Sequence, residues 1–187
     1  MGQYYMVYMK KGENETVYNT TANGEYCGCK LMEHSWWNNQ FVGLICRQIY
    51  NDPAVIAWCG DYADDCSDED IPCGAETIRQ VYRKTWTENK DVKIFGDFLC
   101  LNKRYLVNHS KKSYIDCSEY YENAEKHDSW IVHPLPILTA AGNGFGGGDY
   151  HGENSDLAGS WCMDTVEVRD SIPDGYKKEN ILFFEYN

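Results

Sequence analysis

The sequence predicts an α+β protein: a mixed, mostly antiparallel sheet with a few short helices, arranged as two pseudo-repeated halves. Three observations carry that expectation. Aromatic, β-favouring runs at residues 3–9 and 16–18 flank the polar stretch Lys10-Lys11-Gly12-Glu13-Asn14, which is hairpin patterning. Two other segments place apolar residues at helical spacing. Three short landmarks recur in the same order at offsets of 100 to 106 residues.

The elements follow in chain order. Residues 41–50 are apolar at 41, 42, 44, 45, 46 and 49, a helical face that begins near Asn38 or Asn39, both good caps. Asp52-Pro53 stops it, because the residue before a proline avoids the helical region. Residues 54–58 read as a buried strand, and residues 76–86 as a second helix with apolar positions 78, 81, 82 and 86. Residues 98–108 and 113–117 read as a second hairpin across Lys111-Lys112, followed by a short helix over 120–127. Pro134 and Pro136 make 130–138 an edge strand or an extended segment. A glycine-rich loop spans 142–152, and 161–168 and 181–186 read as closing strands.

The recurrence pairs Tyr5 to Lys11 with Tyr105 to Lys112, Lys30-Leu31-Met32 with Pro136-Ile137-Leu138, and Trp58-Cys59-Gly60-Asp61 with Trp161-Cys162-Met163-Asp164. It suggests two copies of one unit, residues 1–88 and 92–187, meeting near 87–91 within a single compact body. A chance match stands beside it, since Lys-Lys and Trp-Cys pairs are short.

Charge narrows the function classes. The 187-residue chain carries 17 basic and 29 acidic residues, a net charge of −12. Phosphate backbones and anionic membranes are bound through Lys and Arg, so neither is an expected partner. A basic protein is the natural counterpart of so acidic a surface. With 43% hydrophobic and 14% aromatic residues the chain is far from a disordered composition. It has no apolar run of about 18 residues, no basic start followed by an apolar stretch, and nine cysteines, an odd number. Those features lead to an expectation of reduced thiols and a cytoplasmic location.

Four groups of residues could carry chemistry. The densest is the run 61–70, where Asp61, Asp64, Asp65, Asp68, Glu69 and Asp70 make six of ten residues acidic. Such crowding needs solvent, a cation or a basic partner. Only Asp68-x-Asp70 fits part of a calcium loop. The second group is the loop Gly142-Asn143-Gly144-Phe145-Gly146-Gly147-Gly148-Asp149. It contains the letters of a phosphate cradle, yet lacks the strand before and helix after that the motif needs. A binding loop shaped by glycine is the better reading. Third, Cys27-x-Cys29 and the Cys66 to Cys73 spacing do not match paired zinc ligands, and neither a metal nor a cofactor is expected. Fourth, Glu33, His34, His109, His133 and His151 offer acids and bases, and no metalloprotease or nucleophile-elbow motif organises them.

Several stretches together resemble a family of small proteins that begin Met-Gly-Gln-Tyr-Tyr and occur in bacteria, phages and plasmids. They are Met1-Gly2-Gln3-Tyr4-Tyr5, Lys30-Leu31-Met32-Glu33-His34-Ser35, the segment from Trp58 to Asp64, Val107-Asn108-His109, His133-Pro134-Leu135-Pro136, and the glycine-rich run to Asp149. The resemblance spans most of the chain. Cys59 stands where a small residue is expected and Phe145 where a basic one is common. The resemblance carries over no catalytic residue. Residence on mobile elements together with the acidic surface looks like phage counter-defence proteins, including type II anti-CRISPRs.

Two functional expectations follow. In the first, the chain is a non-enzymatic inhibitor that meets a basic host nuclease, such as an RNA-guided one, through the six acids of 61–70. In the second, it is an enzyme or nucleotide- or RNA-acting protein whose site lies beside the glycine-rich loop. Glu33, His34, Asp61, His133 and Asp164 would then supply acids and bases, with Asp61 and Asp164 holding a divalent cation between them.

Overall fold

A computed structural model describes residues 2–20, 29–61, 97–127, 130–142 and 146–185. Chain order begins with the hairpin β1 (Tyr5–Lys11) and β2 (Asn14–Asn19), then helices α1 (Leu31–His34) and α2 (Gln40–Gln48), then β3 (Ala54–Gly60). A second hairpin, β4 (Tyr105–Asn108) and β5 (Ser113–Asp116), leads into α3 (Cys117–Ala124) and α4 (Pro134–Leu138). The short β6 (Ala140–Ala141), a single 3-10 turn at Ser155–Leu157, β7 (Thr165–Arg169) and β8 (Lys177–Lys178) complete the described chain.

The strands form one sheet in the order β2-β1-β3-β7-β4-β5-β8, with β6 set against β3. Every neighbour along β2 to β5 is antiparallel, and the two parallel contacts are β3 with β6 and β5 with β8. The α+β expectation is therefore met: helices lie beside a mixed, mostly antiparallel sheet. None of the described helices is long and apolar enough to cross a membrane.

Strand alternation decides what is buried where. Val7, Ile56, Trp58, Leu106, Ile115, Val166 and Val168 share one face and enter the main core with Phe41, Val42, Ile45 and Ile49 of α2 and Leu135, Ile137 and Leu138 of α4. The opposite face carries a smaller apolar cluster of Tyr8, Ala57 and Cys59 with Ala141. Helix α2 starts as expected, the Asn39 side chain accepting from the Val42 N–H at 3.2 Å. It ends where Asn51 turns to a left-handed φ of 52° ahead of Pro53.

Five expectations are corrected. Residues 134–138 are helical rather than extended, because Pro134 and Pro136 fall in the first turn, where no N–H is needed. His133 caps that turn, its Nδ1 accepting from the Leu135 N–H at 3.2 Å. The strand predicted over 98–108 begins only at Tyr105, after a turn in which Lys103 has a φ of 63°. Trp161 to Met163 form turns, Met163 at a φ of 61°, and the strand starts at Thr165. Residues 181–185 form no strand. They run instead as an extended strap whose Phe183 is fully buried and whose Phe183 N–H donates to the Tyr120 hydroxyl at 3.3 Å. Helix α3 begins earlier than residue 120 because Asp116 accepts from both Ser118 and Glu119 N–H groups. The helix predicted at 76–86 and the junction at 87–91 lie outside the described residues.

The internal repeat is not confirmed. The sheet order is symmetric about the antiparallel β3–β7 pair, each of which adjoins a hairpin. The landmarks do not share that symmetry, however: Trp58 sits inside β3, whereas Trp161 lies in turns before β7.

Candidate functional site

The acidic run begins where β3 ends. Asp61 is locked to Tyr4, the residue before β1, by two bonds, its N–H donating to the Tyr4 carbonyl at 3.0 Å and its Oδ1 accepting from the Tyr4 N–H at 3.0 Å. Its side is half-buried. Asp64, Asp65, Asp68, Glu69 and Asp70 lie outside the described residues, as do Asn143, Gly144 and Phe145 of the glycine-rich loop.

The described part of that loop packs on the N-terminal strand. Asp149 is buried, and its Oδ1 accepts from the Tyr5 hydroxyl at 2.8 Å while its Oδ2 accepts from the Gly146 N–H at 2.8 Å. Gly147 bridges Gly2, and the Gly148 carbonyl accepts from the Met32 N–H at 2.9 Å. A Cβ at Gly142 would stand 2.5 Å from Gln3 Nε2, and one at Gly146 would overlap Gln3 Cβ. At Gly146, where the neighbours are Gln3 Cβ and backbone, close approach demands glycine; at Gly142 the Gln3 and Tyr5 side-chain ends would have to shift.

The acids and bases named from sequence do not converge. Glu33 accepts from the Lys30 N–H at 3.0 Å and pairs with Lys30 Nζ at 3.3 Å, capping the first turn of α1. The backbone bond from Lys30 is the main reason its carboxyl sits below the ordinary range. His34, one residue on, points the other way. It is fully buried, accepts from Trp58 Nε1–H at 2.8 Å and meets the Phe41 ring edge-on. His133 lies between the cap of α4 and Cys46, whose Sγ is 3.7 Å from Nε2. Burial pushes its imidazole down to about 3, so it is neutral, and burial pushes the Cys46 thiol up. Asp164 accepts from Asn108 Nδ2 at 2.7 Å. Its carbonyl accepts from the Ile56 N–H; Asp61 is five residues further along β3, roughly 17 Å away at strand rise. The cation-holding pair of Asp61 and Asp164 is therefore not formed. Among the described residues no group of three or more His, Cys, Asp or Glu could hold a metal ion.

One linked set was not assembled from sequence, although His109 was named as an acid–base candidate. His109 follows β4, with its N–H fixed to the Thr165 carbonyl at 2.8 Å. Its Nε2 lies 2.7 Å from Oε2 of Glu167, a buried carboxylate at the middle of β7. Its Nδ1 lies 2.9 Å from the Tyr176 hydroxyl. Arg169 Nη1 is 3.6 Å from the same Glu167 oxygen. A carboxylate only accepts, so a neutral His109 carries its proton on Nε2 and offers Nδ1 to the phenolic O–H. The set lies on the sheet face opposite the main core, since Glu167 alternates with the core residues Val166 and Val168.

Compared with known protein families, characterised proteins and solved structures, the chain matches none.

Proposed function

We propose that the chain is an acidic, cytoplasmic interaction protein that inhibits a basic host defence nuclease, in the manner of phage counter-defence proteins. The observation that carries the reading is the six-acid run of 61–70 in a chain of net charge −12. The position of Asp61 supports it, because two bonds to Tyr4 hold the start of the run at one end of the sheet. A nuclease channel lined with Lys and Arg is complementary to such a run and loses its phosphate-binding positions when it is occupied. The two histidines of the enzymatic alternative, His34 and His133, are engaged in core packing and capping, which favours the binding role over an acid–base site beside the glycine-rich loop.

The test is a DNA-cleavage assay with a purified RNA-guided nuclease and a stoichiometric titration of this protein. Native protein should suppress cleavage. Replacing Asp61, Asp64, Asp65, Asp68 and Asp70 by Asn and Glu69 by Gln should weaken suppression at least about tenfold, a loss of one or two charge-assisted contacts. Full suppression by the neutralised variant, or none by the native chain, would reject the proposal.

A further inference from the structure

The geometry points to Tyr176 as a nucleophilic tyrosine, activated by His109 and Glu167, that accepts the acyl group of a small anionic donor. The order of groups is nucleophile, base and orienting carboxylate, the arrangement by which hydroxyls are made reactive in acyl transfer. Its members are 2.9 Å and 2.7 Å apart, within reach for proton transfer. Each is held by a separate strand. Glu167 is on β7, His109 directly follows β4, and Tyr176 directly precedes β8, where the Lys177 N–H donates to the Lys112 carbonyl at 2.9 Å. The Tyr176 and His109 rings cross at 79° with centroids 5.7 Å apart, which leaves the hydroxyl rather than the ring face against the imidazole.

Glu167 is buried while Tyr176 is partly exposed, so the chain of groups runs outward from the sheet to solvent. In the reaction Tyr176 Oη bonds to the donor's carbonyl carbon and the bond from that carbon to its leaving group breaks. The phenolic proton passes to His109 Nδ1, and the leaving group departs with the bonding pair. The resulting imidazolium faces the Glu167 carboxylate, which stabilises it.

The preference for an anion comes from the surroundings. Lys111 and Lys112 occupy the β4–β5 turn and Lys177 and Lys178 follow Tyr176, all exposed; Glu119 pairs with Lys178, Asp116 lies near it, Asp174 and Glu179 flank the segment, and Arg169 faces the Glu167 carboxylate, which leaves Lys111, Lys112 and Lys177 without an ion-pair partner among the described residues. Those three lysines are the local attraction for a small anion in a chain this acidic.

The experiment follows acylation of the full chain by mono-para-nitrophenyl succinate, which is anionic, and by neutral para-nitrophenyl acetate, with peptide mapping by mass spectrometry. Tyr4, 45% exposed, serves as the internal reference. Tyr176 should be acylated at least about a hundredfold faster than Tyr4, the low end of what a placed base provides. The anionic ester should react faster than the neutral one, and that margin should shrink as salt is added. His109→Phe should bring the Tyr176 rate down to that of Tyr4. Glu167→Gln, which keeps the shape but removes the charge, should give an intermediate rate and guards against a His109 variant that does not fold. Tyr176→Phe should lose the mapped adduct alone. Equal rates at Tyr176 and Tyr4, or a Tyr176 rate untouched by both His109 and Glu167 variants, would overturn the activated nucleophile. Equal reactivity toward the two esters would overturn the anionic donor.

Discussion

The two ends of β3 meet opposite electrostatic surroundings. At its C-terminal end Asp61 opens a run of six acids, whereas near its start Val55 pairs with Thr165, the residue to which His109 is anchored beside the four lysines. Six residues of strand, roughly 20 Å, separate the two. That span exceeds the Debye length at ordinary salt, so Asp61 does not neutralise the lysines near His109. The proposed cationic partner and the proposed small anionic donor would then meet different parts of the chain. Net charge describes only the first.

The histidines show the same contrast at shorter range. His34 and His133 face the main core, and their ring nitrogens are taken up by Trp58, Leu135 and Cys46. His109 faces the other way, and its partners are a buried carboxylate and a phenol that reaches solvent. Residue type is identical in the three; the side of the sheet decides whether the imidazole supports packing or can move a proton.

Three changes sharpen this picture, in falling order of effect. Both ends rest on the same core, so Trp58→Ala should lower stability by about 4 kcal/mol, as for other large aromatic truncations, and should melt both ends in one transition. Urea unfolding followed by far-UV circular dichroism measures it. Separate transitions would mean that the ends are independent units.

Down to pH 5, acid should act chiefly through the core side. His133 has a folded value near 3 against an ordinary value of 6.5, so the unfolded chain binds its proton first. The stability it confers is complete above about pH 6.5 and is lost as pH falls toward 3, amounting to about 2 kcal/mol at pH 5. Urea midpoints at pH 7 and pH 5 should therefore differ in the native chain and converge in His133→Gln. Lys178→Ala should do least, changing stability by under about 0.5 kcal/mol, because its partner Glu119 is half exposed and solvent screens the pair. Thermal melts at low and high salt check this.

Local chemistry made part of this fold readable from sequence. Helix α2 was legible because apolar spacing, the Asn39 cap and Asp52-Pro53 agree on its span. Helix α4 was misread because prolines were weighed as strand-edge residues, when both fit a first helical turn capped by His133. Trp161 to Met163 have strand-like composition, and only the left-handed Met163 reveals the turn. The linked set of Glu167, His109 and Tyr176 had no such signal. Its members are 58 and 67 residues apart, and strand pairing alone brings them together. Glu33 and His34 illustrate the reverse, adjacent in sequence yet placed on opposite sides of a short helix, one capping it and one in the core.

The most direct measurement is the affinity of the native and six-fold neutralised chains for a guide-RNA-loaded nuclease across a series of salt concentrations. Native affinity should fall steeply as salt rises, and neutralisation should both weaken binding and flatten that dependence. Parallel salt curves for the two proteins would contradict the account, because the acids of residues 61–70 would then take no part in the contact.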